Sequence, residues 1–409
     1  MTLYLRLAWR NIWRHRRRTV IIVLAMGLSL ALMMFYDGLI DGFNQAIAGN
    51  AVRVLGGNIQ VHAAGYREKV DSNPLLPLAD DSAVVQAALS QPDVVAAARR
   101  IQTGGLVSNR EGAFPLNIIG IDPDAEAPVS LIAEHVVDGR YVEAADEDSI
   151  LIGKGLADAL SIKVGDRVTM VGSDIHKQNR QRTMTVIGIY DVGIPSIEKG
   201  NVYISLSEAQ NLFDLRGQST EVQITLEKVG PESAVVAALS PALPGYEVES
   251  WEKNYPELGS AINSKSAVMD IFSIIIVMIA GIGILNLLLM AIYERTREIG
   301  LLGAMGLKPR QIATTFILEG VLIGIVGVIA GIGMGLMINL SLGQVGMDYS
   351  QFAGITEYMA LISGKIYPTL GMSKIFGRAT VVVIIAALAA LIPALIAARR
   401  EPSEALHHV

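Results

Sequence analysis

The sequence predicts an α-helical membrane protein with four transmembrane helices and a large α/β plus β-rich exocytoplasmic domain between the first and second helices. Three observations carry this. Four apolar runs, near residues 19–36, 271–292, 312–340 and 379–397, approach or exceed the ~20 residues that cross a hydrocarbon core. Between the first two lies a long stretch holding most of the prolines and acids, with alternating strand-like segments. Basic residues cluster beside the runs, on one side of the expected membrane. The composition agrees: 409 residues, 51% hydrophobic, with a mean hydropathy of +0.44, too apolar for an ordinary soluble protein and too polar to be membrane throughout.

The net charge of −6 hides an asymmetry. Residues 1–18, 294–310 and 399–400 hold twelve of the 33 basic residues, and only Glu294, Glu298, Glu401 and Glu404 of the 39 acids accompany them. The remainder carries 21 basic against 35 acidic residues. Basic segments on the inside and an acidic domain outside set the orientation, with both termini inside. Because the basic residues are used at the membrane edge, no nucleic-acid partner is expected. The absence of cysteine excludes a disulfide, a thiolate metal site and a cysteine nucleophile.

In chain order, residues 1–18 form a cytoplasmic amphipathic start, with Leu3, Leu5, Leu7, Ala8, Ile12 and Trp9 or Trp13 toward lipid headgroups. Residues 19–56 form the first transmembrane helix and a stalk that ends at Gly56-Gly57, and Asp37 and Asp41 read as hydrated acids near the outer face. Residues 57–255 are the exocytoplasmic domain. Strands are expected over 58–62, 116–122, 149–152, 163–171, 183–190, 201–204 and 220–226, with helices over 81–89, 157–160 and 232–239. Residues 256–293 supply the second stalk and second transmembrane helix, 294–311 a cytoplasmic connection, and 312–340 the third transmembrane helix. An outer loop (341–377), the fourth transmembrane helix (378–398) and a cytoplasmic tail (399–409) follow.

The connection reads ERTREIGLLGAMGLKPRQI from Glu294 to Ile312. Arg295, Arg297, Lys308 and Arg310 make it basic, and Glu294 and Glu298 share a helical face. Ile299, Leu301, Leu302 and Met305 form an apolar stripe, Gly306 is a helix stop, and Pro309 follows. This is a short amphipathic helix between two spans. The string resembles the signature of FtsX-like permeases, the membrane subunits of a class of ABC transporters that includes macrolide-exporter and lipoprotein-releasing permeases. Glu319 and Gly320, and the ending Ala398, Arg399, Pro402, Ala405 and Leu406, belong to the same resemblance. So do IIGIDP (118–123) and the stretch around LIGKGLADALSIKVGDRV (151–168), which resemble that family's exocytoplasmic domain, an α/β lobe split by an inserted β lobe.

The resemblance implies that 294–311 is the coupling helix that docks on an ATPase, through Glu294, Arg295, Arg297, Glu298, Gly300, Gly303, Ala304, Gly306 and Pro309. It implies a partner ABC ATPase in two copies, holding ATP and Mg, and a second permease, the same chain or a homologue. It also implies an exocytoplasmic carrier, adaptor or lipoprotein as partner, and a location in the cytoplasmic (inner) membrane. Lipoprotein or lipid-linked cargo release is the expected function. The alternatives are mechanotransmission in peptide or drug efflux, and control of cell-wall hydrolases without solute transport.

No catalytic set is present. His15, His62, His135, His176, His407 and His408 lack metal-ligand spacing. Gly153-Lys154 is followed by Gly155 instead of Ser or Thr, and Asp148 stands where a phosphate loop needs glycine, so no ATPase activity and no bound cofactor are expected in this chain. Glu319 lies inside an apolar run, where a carboxylate is costly unless paired or hydrated. A structural or coupling role and a proton or substrate role both stay open for it. Gly320, Gly324, Gly327, Gly331 and Gly335 fall on one helix face, a packing surface whose partner, within the chain or in another subunit, the spacing does not choose.

Overall fold

The structure, a computed structural model, describes residues 2–14, 16–72, 74–256, 259–260, 271–276, 278–279, 281–283, 285–286, 289–290, 301, 305–348, 365–370 and 372–399. The chain divides into two units: Met1–Phe43, Ile262–Met347 and Ile366–Val409 form one, and Asn44–Ala261 with Asp348–Lys365 form the other. Helices α1 (Thr2–Arg14) and α2 (Arg16–Leu55) open the chain. Then come β1 (Ile59–Ala63), α3 (Asp81–Leu89), β2 (Val94–Ser108), β3 (Ala113–Ile121), α4 (Pro123–Glu126), α5 (Leu131–Glu134) and β4 (Val136–Gly139). They lead into β5 (Ser149–Gly153), α6 (Lys154–Leu160), β6 (Arg167–Ser173), β7 (Asn179–Tyr190), α7 (Pro195–Gly200) and β8 (Asn201–Ser205). α8 (Leu206–Leu212), β9 (Glu221–Leu226), α9 (Glu232–Ala242), β10 (Tyr246–Ser250), α10 (Trp251–Asn254), α11 (Pro309–Val345) and α12 (Met372–Arg399) complete the described elements used below.

Three helices among the described residues are long and apolar enough to cross a membrane: Thr19–Leu55, which the first unit holds up to Phe43, and Pro309–Val345 and Lys374–Leu391 of the same unit. The expected crossing at 271–292 lies partly outside the described residues, where Ile271–Gly283 is a shorter apolar helix. The third helix extends past both expected ends, and the fourth begins at Met372 instead of residue 378. Ile22, Met26, Leu30 and Met34 of α2 form a core with Ile323 of α11 and Val382, Ala386, Ala389 and Ala390 of α12. The opposite side of α2, with Val20, Leu24, Leu28 and Leu32 one turn apart, stays exposed, as an apolar surface facing acyl chains does. Two expectations are corrected. Ala8 and Ile12 of α1 are buried within the unit, while Trp9 and Trp13 are exposed and meet edge to face. Asp37 and Asp41 are paired instead of merely hydrated: Arg378 holds Asp37 and Lys374 holds Asp41.

The second unit is built on one ten-stranded sheet in the order β10-β1-β9-β2-β3-β8-β5-β7-β4, with β6 joining β2 and β7. That last pairing closes a ring: β2 pairs β3, β3 pairs β8, β8 pairs β5, β5 pairs β7, β7 pairs β6, and β6 returns to β2. The result is a six-stranded barrel filled by Ile101, Val107, Ile118, Ile150, Val168, Met170, Met184, Val186 and Val202. Beside it, β10, β1, β9 and the first half of β2 form an α/β lobe. Its core is Ile59, Val61, Val222 and Ile224 under Val84 and Ala88 of α3 and Val235 and Leu239 of α9. In sequence, the barrel strands β3, β5, β6, β7 and β8 fall between β2 and β9, both of which also belong to the α/β lobe.

β2 serves both lobes. Val94–Arg100 pairs with β9, and Gly105–Ser108 pairs with β6. The sequence reading assigns no strand over 94–108 and none over 246–250. The strand expected from residue 163 begins at Arg167, because Asp166 accepts the Lys163 N–H and closes a turn there.

Candidate functional site

Seven of the nine expected coupling residues, Glu294, Arg295, Arg297, Glu298, Gly300, Gly303 and Ala304, lie outside the described residues. The other two sit at the entry to α11. Gly306 has φ of +92°, a conformation that favours glycine, and the preceding Met305 N donates to Leu301 O. Pro309 takes the first helical position of α11, where its missing N–H costs nothing. The Gln311 side chain accepts the Lys308 N–H at 2.8 Å and caps the start. Leu301 and Met305 project into solvent at 54% and 63% exposure, an apolar pair where a solvated loop would carry polar groups.

Along α11 the glycine stripe faces the other two long helices of its own unit. A methyl group added at Gly320 would stand 2.5 Å from Ala390 Cβ, and one at Gly324 3.1 Å from Ala386 Cβ, both on α12. Added at Gly327, Gly331 and Gly335, it would meet Met26, Leu30 and Met34 of α2 at 2.7 to 2.9 Å. Gly27 of α2 answers Gly331, so the two backbones approach directly. Glu319, half-buried on α11, precedes the stripe by one residue.

The second unit carries its own site at the place where the chain enters and leaves it. Gly56 and Gly57 end α2 with φ of +123° and +84°, and both donate to Val52 O. A Cβ on Gly57 would lie 2.7 Å from Ile224 O, so the helix end abuts β9. Asn58 then knits the entry to the lobe: its N–H reaches Ile224 O, its side chain bonds Leu226 N and Glu232, and its carbonyl accepts from Trp251 N. On the exit side, Tyr255 OH donates to Leu55 O at 3.1 Å and Asn254 donates to Gln60 at 2.7 Å. Entry and exit are thus bonded to each other. Burial raises the Tyr255 hydroxyl pKa, helped by Glu221, so Tyr255 remains a donor at any physiological pH.

Beneath this junction lies a polar layer on one sheet face. Arg100 and Glu126 form a two-pronged ion pair at 2.9 and 2.5 Å, and both are essentially inaccessible to solvent. Burial alone would depress the guanidinium, but the charge of Glu126 outweighs it and raises the pKa. His62 contacts Glu221 at 3.3 Å and stacks on Tyr66. Residues such as Arg100, Glu126, Asn58 and Tyr255 were not singled out from the sequence. Their partners are 26 to 200 positions away, so no local spacing signals them.

Two open cavities flank the domain. One, about 470 Å³, runs along Gln45, Gly49 and Arg53 of α2, where Arg53 donates to Val129 O and pairs with Glu134. The other, about 510 Å³, is lined by Lys154, Asp191, Glu198 and Lys199. There burial, then the charge of Asp191, raises the Glu198 carboxyl, while the Lys154 hydrogen bond lowers Asp191. A raised carboxyl binds more protons in the folded chain than in the unfolded one, so its contribution to stability falls as pH rises through the interval between the two pKa values. Glu198→Gln is expected to flatten this fall, read by thermal unfolding as the pH is raised from the ordinary glutamate pKa of about 4.3 upward. Among the described residues, which include His62, His135 and His176, no group of three His, Cys, Asp or Glu is disposed to hold a metal ion.

Two known domain families match the chain. Residues 19–242 match the MacB-like periplasmic core domain, and residues 271–402 match the FtsX-like permease C-terminal domain. The chain is 26% identical over 399 residues to the lipoprotein-releasing system transmembrane protein LolC of Xylella fastidiosa, covering 94% of this chain and 92% of that protein. It is 22% identical over 405 residues to the protein of the same name from Neisseria meningitidis, covering 95% and 94%. With the macrolide export ATP-binding/permease protein MacB of Psychrobacter arcticus it shares 24% over 421 residues, 96% of this chain but 57% of that longer protein. Among solved structures, the periplasmic region of MacB from Actinobacillus actinomycetemcomitans aligns with 51% of this chain and 95% of its own, at 13% identity and a TM-score of 0.34.

Proposed function

This chain belongs to the FtsX-like family of ABC transporter permeases, and we propose that it releases lipoprotein or lipid-linked cargo from the outer leaflet of the inner membrane, driven by a separate ATPase. The observation that carries this reading is the end-to-end match to lipoprotein-releasing transmembrane proteins, over 92% and 94% of their lengths. In this reading two ATPase subunits bind ATP and Mg and dock on residues 294–311. Two permeases, identical or homologous, form the membrane part, each with four spans and both termini inside.

The chemistry of the chain's own residues fits a transmitter of force. Leu301 and Met305 offer an exposed apolar pair for a docking groove, and Glu294, Arg295, Arg297 and Glu298 would fix its orientation by charge. The Gly306 stop and the Pro309 start join that segment to α11 without slack. The glycine stripe seats α11 on α2, whose 40 residues span about 60 Å, roughly twice a hydrocarbon core. α2 ends in the Asn58 and Tyr255 hydrogen bonds of the second unit, so an axial displacement of the helix reaches the sheet. Glu319 serves the start of α11 as a structural or coupling acid. The MacB match supports efflux of a peptide or drug as the second reading.

Glu298→Ala and Gly303→Leu test the docking assignment. Each is expected to remove cargo-stimulated ATP hydrolysis by the assembled complex while expression and membrane insertion stay normal. Full stimulation in both variants would contradict the assignment of 294–311 as the coupling segment.

A further inference from the structure

A paired set of charges at one end of the helix bundle has no part in the reading above. Asp37 of α2 receives two hydrogen bonds from Arg378 of α12, Nε to Oδ2 and Nη2 to Oδ1, each 2.9 Å. Asp37 is 3% exposed. One turn further along, Asp41 pairs with Lys374 at 3.2 Å. The acids are four residues apart on α2 and the bases four apart on α12, in opposite order, so two antiparallel helices meet in two matched rungs. Around them the contact has no play. A Cβ on Gly38 would lie 2.3 Å from Thr369 O, and one on Gly42 2.4 Å from Tyr367 O. Thr369 N donates to Gly38 O at 2.9 Å. From α11, the buried Asn339 side chain donates to Met34 O at 3.1 Å.

We propose that Asp37–Arg378 and Asp41–Lys374 form a positioning clasp that fixes the axial register of α2 against α12. The physical reason lies in what a slip does. Apolar side chains packed on small residues slide with little change in contact, because one turn resembles the next. Charges do not. A shift of one turn, about 5.4 Å, pairs Asp37 with Lys374 or Asp41 with Arg378 and leaves the other acid and base without their partners at a membrane edge. Removing one member of a buried pair is far costlier than the pair's own net contribution, so the register is set by the penalty for misalignment. The clasp acts on any motion carried by α2, whatever the cargo. It does not depend on the ATPase assignment.

The chain has no cysteine, so introduced thiols report alone. Asp41→Cys with Lys374→Cys replaces the outer rung and leaves Asp37–Arg378 as the sole register-setting pair. Cross-linking by a short bifunctional thiol reagent is read on the monodisperse full-length protein, so a smaller amount of folded protein does not lower the yield. High yield is expected with Asp37 and Arg378 intact, loss toward background with Arg378→Gln, and recovery when the charges are exchanged as Asp37→Arg with Arg378→Asp. Unchanged yield in Arg378→Gln overturns the proposal, since the helices then hold register without the pair. If Arg378→Gln does not accumulate, Asp37→Asn with Arg378→Gln, which strands no charge, takes its place with the same expected loss. Loss that the exchanged pair does not reverse, or failure of the exchanged pair itself to accumulate, also overturns it.

Discussion

Glu126→Ala destabilises the sheet-bearing unit by about 3–5 kcal/mol, the expected cost of leaving a buried charge without its partner. Arg100 is then stranded beneath the α2 junction, with the charge of Glu221 still favouring its guanidinium. The expected readout is a large fall in thermal stability of the whole chain in detergent. A second variant separates the ion pair from the space it fills. Arg100→Met with Glu126→Leu removes both charges and keeps the volume, and it recovers much of the loss, because buried pairs often exchange for apolar groups at little cost. If the double variant is as unstable as Glu126→Ala, the cost arises from lost hydrogen-bond geometry in the polar layer and not from the isolated charge.

The second large effect concerns helix packing. Gly331→Leu drives a branched side chain into Leu30 Cβ at 2.8 Å and Gly27 O at 2.9 Å, a backbone contact that no rotamer avoids. Overpacking of this kind costs about 1–3 kcal/mol or more, and here the two helices must separate to relieve it. Gly333, two residues on, faces open space, so Gly333→Leu on the same helix is the control and leaves stability unchanged. Equal tolerance of both substitutions in thermal unfolding would show that α11 does not pack on α2 through this face.

How far the sequence led depended on the kind of information each element carries. Residues 81–89 are legible because Asp80 accepts the Ala83 N–H at the helix start, a local signal three residues long. The end of α2 is legible because Gly56-Gly57 permits backbone angles other residues avoid. β2 is not. Its residues serve two lobes, so burial does not alternate cleanly, and the run Ala96, Ala97, Ala98 and the pair Gly104-Gly105 have weak strand preference. Val95 near its start is exposed although it is as apolar as its partly buried neighbour Val94.

The proposed coupling role of 294–311 rests on the resemblance of its motif, since its charges alone describe any inside loop. The clasp was missed for a different reason. Asp37 and Asp41 read as hydrated acids because their partners lie more than 300 residues away, on a helix whose register no spacing rule predicts. The polar layer at the junction is hidden in the same way, since its members come from β1, β2, α4, β9 and the segment after β10.

The central proposal is that ATP hydrolysis by a separate subunit drives movement of this permease's exocytoplasmic domain. The most direct measurement is co-purification in detergent with a candidate ABC ATPase, followed by ATP hydrolysis with and without a panel of lipoproteins and amphipathic peptides. The predicted result is a stable complex whose hydrolysis rises with lipoproteins and not with the peptides. Stimulation by peptides alone would favour efflux, and a stable complex indifferent to every cargo would favour regulation without transport. Failure of any complex to form would contradict the coupling mechanism at its root, because residues 294–311 would then have nothing to dock on.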